Sequence, residues 1–470
     1  MTDTMITRAQ HSSATMSPRF WEKAGYGVGD IGFNFYWANI SAFLLIFYTD
    51  VFGISAAAAG TMMLVTKIID AFTDPMMGAI ADRTRSRFGK FRPYLLWLAL
   101  PLAGAGVLTY TTPDLDADGK LIWAYGTYSL LMLIYTGINI PYSALSGVIT
   151  ADSQQRTTLV SFRFIGGFTG GILVTYLTPK LVPLLGQGDD VLGWQLTMGC
   201  FGLAAALLFL CTFASTRERI QPVCNTPTPV WQDIRDLAGN KAWLVLFCLA
   251  LVIMITITMR ASSAVYYFKY YLQQPQLVGE FLSSYMLALA LGAASTPLMT
   301  RFLDKKTLMI GLMSLAGVLS LALYFVPPDN IRMVFALNLA IGFVLGPKSP
   351  LAFSMYADSA DYNEWRTGRR ATAMTFAAAT FSQKLGGALA SACIGWLLAL
   401  FGYVANAEQT AGSQQSILWL MSLIPGVVAF VAAAVMACYP LTEAQLRHIQ
   451  AELATRRAQS STAEPVMSKS

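Results

Sequence analysis

Long apolar runs separated by short polar segments make up most of the chain. A helix crossing a bilayer needs roughly 20 mostly apolar residues. Twelve runs meet that length, at 33–53, 57–80, 94–112, 121–150, 158–180, 193–215, 242–268, 279–300, 307–326, 333–356, 371–402 and 415–438. Long stretches of these runs lack the polar face that a surface helix of a soluble protein needs. The longest polar interval, 216–241, contains Pro222, Pro227 and Pro229 and follows the sixth run. The pattern therefore predicts an N-terminal six-helix bundle at 1–215, a cytoplasmic linker at 216–241, a C-terminal six-helix bundle at 242–440 and a cytoplasmic tail at 441–470.

The two halves repeat one another. DPMMGAIADR, from Asp74 to Arg83, matches TPLMTRFLDK, from Thr296 to Lys305, at an offset of 222. Pro141 to Asp152 matches Pro347 to Asp358 at an offset of 206. The matches keep their order and fall at equivalent helix ends. Such duplication suits a transporter, with its substrate site at the midplane between repeats.

Composition strengthens this picture. Of 470 residues, 55% are hydrophobic and only 12% charged, about half the charge of a soluble domain; the mean hydropathy is +0.51. The net charge of +6 is small for the length and fits basic loops rather than nucleic acid. Basic residues favour the cytoplasmic side. With the N-terminus inside, 23 of the 32 Lys and Arg fall in cytoplasmic segments and 4 outside. The first apolar run begins near Phe33 after a polar start, without a small-residue cleavage site, and reads as a retained helix. The six cysteines form no CxxC pair, and the two histidines, His11 and His448, lie in the tails, which argues against a metalloenzyme centre. The chain has no GxxxxGK[ST], GxSxG or HExxH, so neither ATP drive nor an integral-membrane enzyme is supported.

Charges inside a membrane are functional candidates by default. KIIDAFTD places Lys67, Asp70 and Asp74 on one face of the second helix. Two carboxylates one turn apart can ligate Na⁺ or share a proton. A structural Lys67–Asp70 pair is the bland reading, and it leaves the second acid unexplained. Tyr135, Thr136 and Asn139 on the fourth helix and Asp30 and Asn34 on the first can complete the site, or simply bond helix to helix. Asp30, near the helix end, can also cap or pair locally. Arg163, in SFRFIGG, and Lys384, in SQKLGG, are candidate partners of the acids or of substrate oxygens. Arg260 and Lys348 have no acidic neighbour in sequence and suit an anionic substrate or a snorkelling role. Tyr36, Trp37, Tyr135, Tyr142, Tyr266 and Tyr267 are candidates for stacking on a sugar ring or for packing. Loop 81–93, with Asp82, Arg83 and Arg92, reads as one half of a latch, and Asp152 repeats at Asp358. Loop 358–370, with Arg366, reads as the partner gate.

Tyr26-Gly27-x-Gly29-Asp30, FYTDVFG at 47–53, DAFTDP at 70–75, ADRTRSRFGKFRP at 81–93, NIPY at 139–142 and ADSADYNEWRTG at 357–368 together resemble the glycoside–pentoside–hexuronide:cation symporter family of the major facilitator superfamily. The resemblance spans roughly 20–445 and is closer to glucuronide and pentoside members than to melibiose permease. It implies cation binding by Asp70, Asp74 and Thr136, with Arg163 near the sugar, Lys384 approaching the cation site and the sugar between the first and fourth helices. The melibiose branch has aspartates at the places of Asn34 and Asn139 and tryptophans at those of Ser143 and Ser349.

The expectation is an all-α membrane protein of the bacterial inner membrane. It has twelve transmembrane helices in two pseudo-symmetric bundles, the major facilitator fold, with both termini cytoplasmic. It is expected to act as a monomer without a cofactor or nucleic-acid partner, lodged in the lipid bilayer. It carries a sugar or glycoside, an acidic hexuronide favoured, by alternating access and symport with H⁺. Na⁺ held at Asp70 and Asp74 is the alternative ion; neutral pentosides or galactosides are alternative solutes, and a non-transporting solute sensor is the alternative role.

Overall fold

The computed structural model describes residues 18–150, 153–219, 235, 238–367, 372–449, 451–453 and 455. These residues are almost entirely helical, and ten helices are long and apolar enough to cross a membrane. Phe20–Ala42 (α1) and Leu44–Phe52, which meet at a 55° bend, are long and apolar enough only together, and bring the count to eleven when the bent pair is taken as one span. The expected span at 94–112 is a pair of short helices, Arg92–Trp97 and Ala99–Thr109 (α3). The remaining helices follow in the expected order: Ala56–Arg83 (α2), Ala117–Ile149 (α4), Ser153–Gly186 (α5), Asp190–Ser215 (α6) and Lys241–Tyr266 (α7). After these come Val278–Met299 (α8), Lys305–Tyr324 (α9), Ile331–Leu345 (α10), Lys348–Thr367 (α11), Thr372–Leu400 (α12), Ala411–Met421 (α13) and Leu423–Ala437 (α14).

Two boundaries correct the sequence reading. The first helix starts at Phe20, not near Phe33. Glu22, Lys23 and Asp30 depress the hydropathy of its first turns, but its glycines form a packing face. A Cβ at Gly166 on α5 would come within 2.1 Å of the Gly27 carbonyl, and one at Gly170 within 2.8 Å of that of Ile31. Small residues let backbones touch where lipid supplies no hydrophobic drive. The second correction concerns 358–370. Its part through Thr367 is helix, the end of α11, rather than loop.

By proximity the chain groups into two compact units. The first comprises Met1–Cys224, Thr258–Leu287 and Ala388–Met421; the second comprises Asn225–Ile257, Ala288–Gly387 and Ser422–Ser470. The division expected at 216–241 follows covalent order and internal repetition, which is a different property. In the first unit α1 packs on α5 and α6, α3 on α6, and α2 on α4. In the second, α9 packs on α14, where the Gly317 position abuts the Phe430 ring. Gly292 of α8 and Gly346 cross so closely that a Cβ on Gly346 would sit 2.4 Å from the Leu289 carbonyl. This crossing falls where α10 breaks before Pro347 and restarts as α11. Large apolar side chains such as Phe72, Ile122, Leu100 and Leu400 stand exposed along the helices. That is the surface expected of a protein solvated by lipid.

Candidate functional site

The second and fourth spans build the core of the site in the first unit. Asp70, buried, and Asp74, half-buried, project from one side of α2 toward α4. The Thr136 hydroxyl oxygen of α4 lies 2.7 Å from Asp70 Oδ1 and 3.1 Å from Asp74 Oδ1. Pro75 adjoins Asp74 and cannot donate to the carbonyl four residues earlier, which loosens α2 beside the pair. Lys67, one turn before Asp70, is also buried. Its ammonium lies 4.6 Å over the Trp37 ring and 3.6 Å from the Met132 sulfur. Trp37, a candidate for sugar stacking, thus faces a cation here.

A hydroxyl has one proton to give. With both carboxylates ionised, the Thr136 oxygen can serve only one of them, and the other contact sets lone pair against anionic oxygen. A proton on that carboxyl, or a cation among the three oxygens, removes the conflict. The donors are all hard oxygens, the type alkali and alkaline-earth cations prefer. Among the described residues no group of three or more His, Cys, Asp or Glu forms a metal site.

A second cluster lies between α1, α4 and α5. Arg163 Nε donates to Asp30 Oδ1 at 2.9 Å, and its Nη1 to the Ser143 hydroxyl at 3.1 Å. The guanidinium sits 5.0 Å over the Tyr142 ring. Tyr142 donates to the Tyr26 carbonyl at 2.6 Å and stacks on the Tyr26 ring at 4.7 Å. Asn34 donates to the Asp30 carbonyl at 2.9 Å and lies against Gly167 and Gly170 of α5. Tyr135 is buried edge-on to Phe33, and Asn139 is half-buried on α4. Of the two roles left open for Arg163, partner of the α2 acids or of substrate, the structure adds a third: its charge is met by Asp30. Tyr36, Tyr266 and Tyr267 are fully packed, as most membrane aromatics are.

Three further candidates sit elsewhere. Arg260, in the first unit, is buried with its guanidinium 5.7 Å over the Tyr285 ring and 3.4 Å from the Met421 carbonyl. Lys348 and Lys384, in the second unit, are buried in α11 and α12. Lys348 has no hydrogen-bond or ion-pair partner among the described residues.

The latch candidates that have described partners meet separate ones. Asp82 lies on α2, its side chain outside the described residues, and Asp152 falls outside them altogether. Arg83 is exposed in the last turn of α2. Arg92 donates to the Phe213 carbonyl at 2.6 Å. Asp358 pairs with Lys305 at 2.6 Å, and Arg366 donates to the Gly239 carbonyl. Sequence reasoning passed over Glu218, whose carboxylate takes the backbone N–H groups of Lys90, Phe91 and Arg92 at 2.8, 2.7 and 2.9 Å. It ties the 81–93 loop to the end of α6. Its only sequence signal was an acid among the basic residues Arg217 and Arg219.

A family model described as MFS/sugar transport protein matches residues 25–443. The chain is 36% identical over 446 residues to the putative glycoside/cation symporter YagG of Escherichia coli (strain K12), covering 94% of this chain and 97% of the other. It is 33% identical to the isoprimeverose transporter of Lactiplantibacillus pentosus, covering 88% and 90%. It is 30% identical to the glucuronide carrier protein homolog of Escherichia coli (strain K12), covering 92% and 95%. The solved D-xylose-proton symporter superposes with a TM-score of 0.64 at 17% identity, covering 89% of this chain and 97% of that one, which speaks for the fold.

Proposed function

Because this chain belongs to the MFS/sugar transport protein family, we propose that it is an inner-membrane symporter that couples a sugar or glycoside to a cation at Asp70, Asp74 and Thr136, with H⁺ the favoured ion. The family and its relatives make it a secondary transporter rather than an enzyme. The observation that carries the site is the single Thr136 hydroxyl shared between two carboxylates at 2.7 and 3.1 Å. One proton on that pair resolves the conflict over the single Thr136 hydroxyl. Arrival of a monovalent cation takes one negative charge off the ionised pair, which lowers the cost of holding it in a low dielectric. The order of binding and the rocking of the halves then follow alternating access. Na⁺ remains the alternative occupant of the same three oxygens. The proposed orientation keeps both termini cytoplasmic, from the bias of basic residues.

The solute reading favours an acidic glycoside such as a hexuronide. Arg163 carries no spare charge, since Asp30 meets it. Lys348 is a buried amine without an anionic partner among the described residues, a group that a substrate carboxylate would complete. Neutral Asn34 and Asn139 also suit a neutral pentoside, and one relative is named for isoprimeverose. Proteoliposomes given matched neutral and carboxylated glycosides, with external pH recorded and Na⁺ varied, decide both points. Solute-induced alkalinisation without Na⁺ dependence supports H⁺. Carboxylate preference lost in Lys348→Ala supports the acidic solute. Transport of both solutes equally, unaltered in that variant, removes it.

A further inference from the structure

At the end of the first unit away from the N-terminus, α1 bends and runs through Leu44–Ile46 into a π-helical turn, Phe47–Phe52. Gly53 closes that turn at φ +84°, a conformation costly for any other residue. Helix α7 ends the same way, in π-helical Tyr267–Tyr271. Such turns are rare and concentrate at functional positions. Asp50 and Lys269 are 219 residues apart, close to the internal repeat of 222, so the two turns are counterparts in the two halves. They carry opposite charges, and these meet: Lys269 Nζ lies 2.6 Å from Asp50 Oδ2.

The Asp50 side chain is 2% exposed, and hydrogen-bond donors surround it. Thr49 donates to Oδ1 at 2.6 Å, and the hydroxyls of Tyr403 and Tyr270 donate to Oδ1 and Oδ2. Asn406 donates to the Asp50 carbonyl at 2.6 Å and accepts from Lys269 at 2.8 Å. Thr49 and the Tyr266 hydroxyl are 3.0 Å apart. One carboxylate therefore gathers three stretches of chain, 47–53, 266–271 and 403–406, from both halves of the sequence. Deeper along the same helices Ser262 donates to the Ser41 carbonyl. A Cβ on Gly395 would come within 2.2 Å of the Ala56 carbonyl, leaving no room for a solute between α2 and α12 there.

We propose that Asp50 is the hub of the gate closing this end of the transporter, and that its donors set how often the end opens. A buried carboxylate with its donors in place is held firmly; stripped of them it is costly. Opening separates the three stretches and must break several charge-assisted bonds at once. Under the proposed orientation this end faces the periplasm. The latch foreseen from sequence lay at the other end.

The test needs no substrate, so it stands or falls apart from the cation-site reading. In a cysteine-free chain, Ser262→Cys puts a thiol on α7 about 10 Å below Lys269, at a position now 1% exposed. A membrane-impermeant thiol reagent is added from the periplasmic side. Ser320→Cys, buried in α9 of the second unit, reports general loosening. Asp50→Asn, Lys269→Gln and Tyr403→Phe are each expected to speed labelling of the first thiol by about tenfold to a hundredfold, as loss of a bond to a charged group implies. The second thiol keeps its rate. Lys269→Gln and Tyr403→Phe carry the test if Asp50→Asn does not fold. Unchanged labelling at 262 in folded variants, or equal acceleration at both thiols, overturns the proposal.

Discussion

An acid that must change charge in every cycle tolerates its amide poorly, because the amide fixes it neutral while keeping its shape. Asp74→Asn should therefore abolish cation-driven accumulation but retain solute exchange, read by counterflow in proteoliposomes. Thr136→Ala removes the oxygen common to both acids and should weaken apparent cation affinity by about tenfold to a hundredfold, given the worth of a bond to a charged group. The two acids were legible from the sequence because intramembrane charges are few and one turn of helix fixes their common face, whereas Thr136 was one of several polar candidates on α4, singled out by the resemblance. The Asp30–Arg163 pair was less so: nothing in the sequence of α1 or α5 says which helix each charge faces. Asp30→Asn leaves a mostly buried guanidinium unpaired and should lower stability by about 1.5–3 kcal/mol. Adding Arg163→Gln should recover part of the loss, measured as thermal unfolding midpoints in detergent. Full additivity of the two changes would separate the residues energetically.

At the scale of elements, apolar length located nearly every helix, while the ends escaped it. The start of α1 was hidden because Glu22, Lys23 and Asp30 look like a polar leader, although glycines there seat α5 against α1. The last roughly three turns of α11, beyond Tyr356, were hidden by their charges, of which Asp358 is met by Lys305. Crowding at the α1–α5 crossing makes a specific demand. Gly166→Val should cost about 1–3 kcal/mol or more and show as loss of folded carrier in the membrane. Glu218 makes a different one. Glu218→Gln keeps the shape but weakens three charge-assisted bonds, so hydrogen exchange at the amides of Lys90, Phe91 and Arg92 should quicken. Unchanged protection there would mean the loop is held by Arg92 and Phe213 alone.

For the whole molecule, internal repetition in the sequence points to two related halves, with the candidate acids in one half only, since Gly292 and Thr296 stand where Asp70 and Asp74 would recur. The closure around Asp50 was not readable, because it joins residues up to 356 positions apart through turns that no apolar pattern marks. As proposed, the two features would divide the labour of a carrier: a switchable charge within the bilayer and a polar lock toward one end. The acids on α2, as proposed, convert an ion gradient into solute accumulation. The direct measurement is solute accumulation in proteoliposomes under an imposed pH gradient, comparing the wild type with the Asp70→Asn, Asp74→Asn double variant. The wild type should accumulate solute and the variant only equilibrate it; accumulation by the double variant to the wild-type level would show that these acids do not couple transport.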